Sequence, residues 1–209
     1  MGATNKRLRC PSCDFILVRC LCDTLKPIDN FIELVILQHP SETLHALNTV
    51  ALMKKSFQRI TVLIGEDFTD NHLLNSLLLN PNNSIALLYP TQNSTLLNSA
   101  ENLPLTHLIL IDGTWKKAHK IVTTSKNLHP LHSIKLESTD GGFYRIRASQ
   151  KKESLSTLEA SIAALKILEE KLETKSLEDS FNKMIEFQIE KMGTETFKKN
   201  YLSKKENDE

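Results

Sequence analysis

The stretch Thr106-His107-Leu108-Ile109-Leu110-Ile111-Asp112-Gly113-Thr114-Trp115 decides the fold class. Its apolar run shows no polar alternation, which is the pattern of a strand buried on both faces. A carboxylate and a glycine end the run, and 115–122 continues with helical spacing. A buried strand that passes directly into a helix is half of a parallel β-α-β unit. Asp112 therefore stands at the carboxyl rim of a sheet, where α/β proteins of this kind bind ligands.

Working outward, 31–37, 60–64 and 84–89 read as further buried strands, stopped by His39-Pro40, Gly65 and Pro90. The spacing predicts helices over 42–55 (capped by Ser41), 71–79, 157–172 and 177–192, the last ended by Gly193. Weaker strand signals fall at 133–136 and 143–146. The class expected is α/β: a mostly parallel sheet with helices on both faces. The other rim segments are His39-Pro40, Gly65-Glu66-Asp67 and Tyr89-Pro90. No G-x-G-x-x-G and no G-x-x-x-x-G-K-[ST] occurs, so a dinucleotide fingerprint and a P-loop are disfavoured.

All four cysteines lie early, as Cys10-x-x-Cys13 and Cys20-x-Cys22. Clustered thiols in a reducing compartment suit a structural Zn²⁺ better than disulfides, because zinc takes four soft ligands in a tetrahedron. Unliganded thiols in an arm are the alternative. Arg7, Arg9 and Arg19 flank the cluster, within reach of an RNA backbone. Three parts follow: a cysteine knuckle over 1–30, the main domain over 31–175, and a C-terminal helix with a charged tail over 176–209. No apolar run approaches the roughly 20 residues needed to span a membrane. The N-terminus is polar and basic rather than a secretory signal, and Lys6 stands where a myristoylation motif wants Ser or Thr. A cytoplasmic protein is expected.

The chain carries a formal charge of only +1, but 113–152 holds nine basic and two acidic residues. That stretch begins at the Asp112 segment, and a local basic field is how a near-neutral protein holds phosphates. Lys116, Lys117, His119 and Lys120 line the first turns of the helix, beside Trp115, the single tryptophan. A carboxylate, a stacking surface and cations together suit a base held near phosphates. The plainer account makes Asp112 or Thr114 a helix cap and Trp115 a packing residue. Similar pairs of accounts apply elsewhere. Tyr144-Arg145-Ile146-Arg147 is an edge strand or an arginine pair that anchors an anion. Ser156-Thr157-Leu158-Glu159 fits a capping box, which explains Ser156 and Glu159 without a ligand.

Taken in order, these segments resemble the DTW-domain family of tRNA-uridine aminocarboxypropyltransferases. The D-x-T-W signature is Asp112-Gly113-Thr114-Trp115. The H-P-x-E and N-T motifs are His39-Pro40-Ser41-Glu42 and Asn48-Thr49. Tyr144 to Arg147 and Ser156-Thr157-Leu158-Glu159-Ala160 match the later motifs, and the cysteine pairs are similar to the family's N-terminal module. Where many members carry a basic residue shortly before N-T, this chain has Leu44-His45-Ala46-Leu47.

The resemblance implies a SPOUT-like fold with a C-terminal trefoil knot. It also implies transfer of the 3-amino-3-carboxypropyl group from S-adenosylmethionine, a co-substrate, to N3 of a tRNA uridine, in the variable loop for the bacterial branch. Asp112, Thr114 and Trp115 are then the expected catalytic residues. Tyr89, Pro90, Asp112, Gly113, Ser156, Thr157 and Glu159 are expected to hold S-adenosylmethionine. His39, Glu42, Asn48, Thr49, Lys116, Lys117, Lys120, Tyr144, Arg145 and Arg147 are expected to face tRNA. A homodimer fits the superfamily. An RNA methyltransferase of the same superfamily and a noncatalytic RNA-binding zinc protein are the rival readings.

Overall fold

The computed structural model describes residues 8–44, 48–97, 104–137 and 155–193. Six strands run through it: β1 (Glu33–Gln38), β2 (Ile60–Ile64), β3 (Ile85–Leu88), β4 (Thr95–Leu96), β5 (His107–Asp112) and β6 (His132–Lys135). They form one sheet in the order β2-β1-β5-β3-β6-β4, with every pair parallel. The helices are α1 (Thr49–Ser56), α2 (His72–Leu79), α3 (Trp115–Thr124), α4 (Thr157–Leu168) and α5 (Lys175–Met192).

Both faces of the sheet are covered, as unbroken apolar strands require. Leu34 and Ile36 of β1, Leu108 and Leu110 of β5, and Ala86 and Ile134 pack with α1, α4 and α5. The alternate residues Val35, Leu37, Leu87 and Ile109 pack with Phe68, Leu74 of α2, Ile121 of α3 and Leu128. Burying a side chain of this size contributes about 1.5–3 kcal/mol. The central strand β5 is thus fixed from both sides, and so is the Asp112 that ends it.

Several predicted boundaries move. The helix predicted over 42–55 and capped by Ser41 begins only at Thr49. Pro40–Glu42 instead forms one 3-10 turn, in which His39 Nδ1 accepts the Ser41 N–H. Asn48 caps α1, its Oδ1 accepting the Ala51 N–H at 3.2 Å. Asn is among the strongest N-cap residues, and α1 begins at the residue after Asn48. The helix predicted over 157–172 stops at Leu168. There Glu169 leaves the helical conformation, and its carboxylate accepts the N–H groups of Phe31 and Ile32. β4 has two residues and leaves no periodic trace. The strand predicted over 143–146 lies outside the described residues.

The helix predicted over 177–192 is core. Leu177, Phe181, Met184 and Ile185 of α5 enter the same apolar cluster as Leu21 and Ile28 from the N-terminal region. Ser180 Oγ donates to Thr24 Oγ1 at 2.9 Å, and Lys183 pairs with Asp23. No helix among the described residues is long and apolar enough to cross a membrane.

Candidate active site

Because all strands are parallel, the ends of β1, β2, β3 and β5 meet at one rim. β1 and β5 are in register with Gln38 opposite Asp112, and the next residue, His39, donates its N–H to the Asp112 carbonyl at 2.9 Å. The Asp112 side chain is held from two directions. Gln38 Nε2 donates to Oδ2 at 2.8 Å, and Thr157 Oγ1 donates to Oδ1 at 2.6 Å. Each oxygen of the carboxylate keeps a further lone pair.

Gly113 follows where α3 passes close to the end of β1. A Cβ there would stand 3.1 Å from Lys117 Cβ and 3.6 Å from His39 Cβ, so a side chain would crowd the first turn of α3. Thr114 is the α3 N-cap, its Oγ1 accepting the Lys117 N–H. The hydroxyl that orients Asp112 is therefore Thr157's. Trp115 is 49% exposed, and its ring lies 6.2 Å from that of Tyr89 at an interplanar angle of 53°. Tyr89 sits just past β3, and burial pushes its phenol above the ordinary range. Pro90 is exposed.

The basic face of α3 meets acidic partners. Lys117 Nζ donates to Ser41 Oγ at 2.6 Å and to Glu42 Oε1 at 2.7 Å. Lys120 pairs with Glu66, and His39 Nε2 lies 3.4 Å from the other Glu66 oxygen. The Lys120 ammonium holds the Glu66 carboxyl below its usual range. Lys116 and His119 are exposed, and Thr49 is buried in α1. The capping box forms as predicted: Ser156 Oγ accepts the Glu159 N–H, and Glu159 Oε2 accepts the Ser156 N–H. Glu159 Oε1 is buried and has no hydrogen-bond partner among the described residues. His45, Tyr144, Arg145 and Arg147 lie outside the described residues.

Two residues of the site escaped the sequence reading. Gln38 is a polar residue closing a buried strand one position before His39, a break in pattern that could have marked it. Glu66 stands in a rim segment that was noticed but given no role.

At the N-terminal end, the Sγ atoms of Cys10, Cys13, Cys20 and Cys22 all lie within 4.8 Å of one another. The pairs Cys10–Cys22, Cys10–Cys20 and Cys13–Cys20 are 3.5, 3.5 and 3.7 Å apart. A zinc–thiolate tetrahedron with bonds of about 2.3 Å has edges of roughly 3.8 Å, so the four sulfurs fit such a centre. Cys13 is followed by Asp14 at φ 64°, and Arg9 bridges Ile16, which together fold the first pair into a tight turn. Backbone N–H groups of Cys13 and Ser12 bring the Cys10 thiol down to about 6. Cys22, facing the sulfurs of Cys20, Cys10 and Cys13, is pushed up to about 12. Four thiolates at this spacing repel, and a cation is the group that relieves them. Arg9, one of the arginines read as flanking the cluster, donates to the Asp14 carbonyl at 2.7 Å.

A family profile described as "DTW domain" matches residues 7–189. A Drosophila melanogaster protein named tRNA-uridine aminocarboxypropyltransferase 2 is 31% identical over 210 residues, 96% of this chain and 82% of its own length. The Mus musculus protein of the same name is 31% identical over 173 residues, 79% of this chain and 58% of its own. An Arabidopsis thaliana tRNA-uridine aminocarboxypropyltransferase A is 29% identical over 141 residues, 59% of this chain and 53% of its own. The chain thus spans little more than half the length of the mouse and Arabidopsis relatives. No solved structure matches it.

Proposed function

The chain belongs to the DTW-domain family, and from that premise we propose that it is a tRNA-uridine aminocarboxypropyltransferase, the activity its relatives are named for. It moves the 3-amino-3-carboxypropyl group of S-adenosylmethionine to N3 of a tRNA uridine and releases methylthioadenosine. The observation that carries the chemistry is Asp112, a rim carboxylate oriented by Gln38 and Thr157.

The reaction asks little else. Uridine N3–H is a weakly acidic imide, so one positioned base suffices. Its proton passes to Asp112, the N3–Cγ bond forms, and the Cγ–S bond breaks. The bonding pair stays on sulfur, which leaves as a neutral thioether and needs no general acid. The product depends on which carbon of the sulfonium faces N3, so the amino-acid end must be gripped. We assign that grip to the α4 start, Ser156, Thr157 and Glu159, where Glu159 Oε1 is buried without a hydrogen bond among the described residues. Tyr89, Pro90 and Gly113 complete the pocket for S-adenosylmethionine. Trp115, beside Tyr89 and half exposed, is assigned to stack on the uracil.

Lys116, Lys117 and Lys120 face the tRNA backbone, with His39, Glu42 and Asn48 bordering the rim; Tyr144, Arg145 and Arg147 are assigned to tRNA binding from the sequence alone. A variable-loop uridine is the target in this reading. The four cysteines hold a structural Zn²⁺, supported by the fit of their sulfurs to a tetrahedron. That knuckle over 1–30, the catalytic domain over 31–175 and the C-terminal segment over 176–209 are the three parts. A SPOUT-type trefoil knot belongs to the same proposal, on the strength of the family resemblance.

The test is incubation of the purified chain with S-adenosylmethionine and unmodified tRNA, followed by mass spectrometry of the nucleosides. The expected product is uridine heavier by an aminocarboxypropyl group. A methyl addition, or no addition, overturns the reading.

A further inference from the structure

Gln38 ends β1, and only 3% of it is exposed. A buried primary amide has two donors and an acceptor to satisfy without water, so its orientation carries a cost if wrong. Oxygen and nitrogen of an amide are told apart by their partners, and here the partners trace back to backbone. The Ala51 N–H donates to one side-chain atom of Asn48 at 3.2 Å, which must therefore be Oδ1. The other atom, Nδ2, donates to the Thr43 carbonyl at 2.9 Å. Two backbone groups of opposite character thus fix Asn48. Gln38 meets Asn48 at its oxygen, 3.2 Å away, so the Gln38 atom there must be the nitrogen. The same nitrogen reaches Asp112 Oδ2 at 2.8 Å. The start of α1 dictates, through two amides, that Asp112 is met by a donor.

We infer that Gln38 is a positioning residue of the transfer reaction: its amide, oriented by Asn48, fixes the plane of the Asp112 carboxylate together with Thr157. One lone pair on each Asp112 oxygen is left for the substrate proton. This rests on the reading of Asp112 as the base. A purely structural Gln38 would support β1 without touching the proton transfer, and the two roles differ in the pH dependence of the rate.

The test uses the full chain, unmodified tRNA and saturating S-adenosylmethionine in single-turnover transfer, followed from the acidic range where carboxylates titrate up to neutral pH. Gln38→Glu keeps the shape but puts a second carboxylate against Asp112. Like charges sharing a site disfavour ionisation, so the acid limb of the rate profile moves upward by about one pH unit or more. Among the described residues this rim also carries His39 and Lys120, paired with Glu66, then Lys117, paired with Glu42, Tyr89 beyond β3 and Glu159 on α4; none of them is altered. Gln38→Leu lowers the rate constant by about 100-fold, the scale of a misplaced reacting group, while methylthioadenosine still binds. A Gln38→Glu profile that superimposes on the wild type overturns the inference, as does Gln38→Leu at the wild-type rate. Where the leucine variant does not fold, the isosteric glutamate decides alone. A wild-type chain that transfers nothing overturns the functional reading and this one with it; active wild type beside unimpaired variants overturns this one only.

Discussion

Thr157 Oγ1 lies 2.6 Å from Asp112 Oδ1, joining the first residue of α4 to the last residue of β5 across 45 positions of chain. The contact couples a C-terminal helix to the rim of the central strand. It also assigns one hydroxyl proton: Thr157 serves the carboxylate, and Thr114 serves the backbone of α3.

Asp112→Asn preserves the shape and removes the proton acceptor. Single-turnover transfer is expected to fall by about a hundredfold or more, the usual weight of a general base, while calorimetry finds methylthioadenosine still bound. Thr157→Val removes one orienting donor and should lower kcat by about tenfold with little change in KM. Full activity in the asparagine variant would falsify the role of Asp112.

The cysteine cluster predicts one zinc per chain, read by native mass spectrometry with and without chelator. Cys10 and Cys13 are buried, and the segment they begin packs on α5 through Leu21 and the Ser180–Thr24 contact. Chelation should therefore lower Tm by several degrees, since the metal's binding energy is also folding energy. An intact chain with the metal-free mass and an unmoved Tm would remove the metal from the account.

Lys117 is engaged by Ser41 and Glu42 before any RNA arrives. Glu42→Gln frees the ammonium, so tRNA affinity should rise and the slope of log K against log salt should steepen by about one. Lys117→Met should shift both quantities the opposite way. Fluorescence titrations over a salt series measure this, and identical slopes in all three proteins would show that Lys117 meets no phosphate.

Burial lowers the His107 pKa from 6.5, with the Glu33 carboxylate 3.5 Å away opposing the shift. The unfolded chain then binds the proton more readily, so stability is present above 6.5 and is lost as pH falls through the lower folded value. Tm should begin to drop just below 6.5, before the lowered carboxyls of Glu66, Asp67 and Glu178 titrate. His107→Phe should delay the onset into the carboxylate range. An unchanged onset would assign the drop to other groups.

Much of the fold was legible because buried parallel strands leave unbroken apolar runs. The run at 60–64 coincides with β2, and the run ending at Ile111 extends by one residue to Asp112 in β5. The helix before residue 56 was misplaced because Ser41 and Asn48 are both good caps. Ser41 does not cap, because its hydroxyl meets His39 Nδ1 and the Lys117 ammonium. The pairing of Lys117 and Lys120 was not legible, because Glu42 and Glu66 come from other strand ends and spacing does not register them.

By itself the sequence determined the class of fold, the rim position of Asp112 and the clustering of the four cysteines. Each of these is local: a hydrophobic period, a strand-to-helix junction, a pair of short cysteine spacings. Tertiary structure alone decided which groups hold Asp112. Gln38 reaches it only because β1 and β5 pair in register, and Thr157 only because α4 packs back onto the sheet. Hydrogen bonds between distant segments require a donor and an acceptor within about 3 Å, and that proximity is made by packing, which leaves no mark in the spacing of residues along the chain.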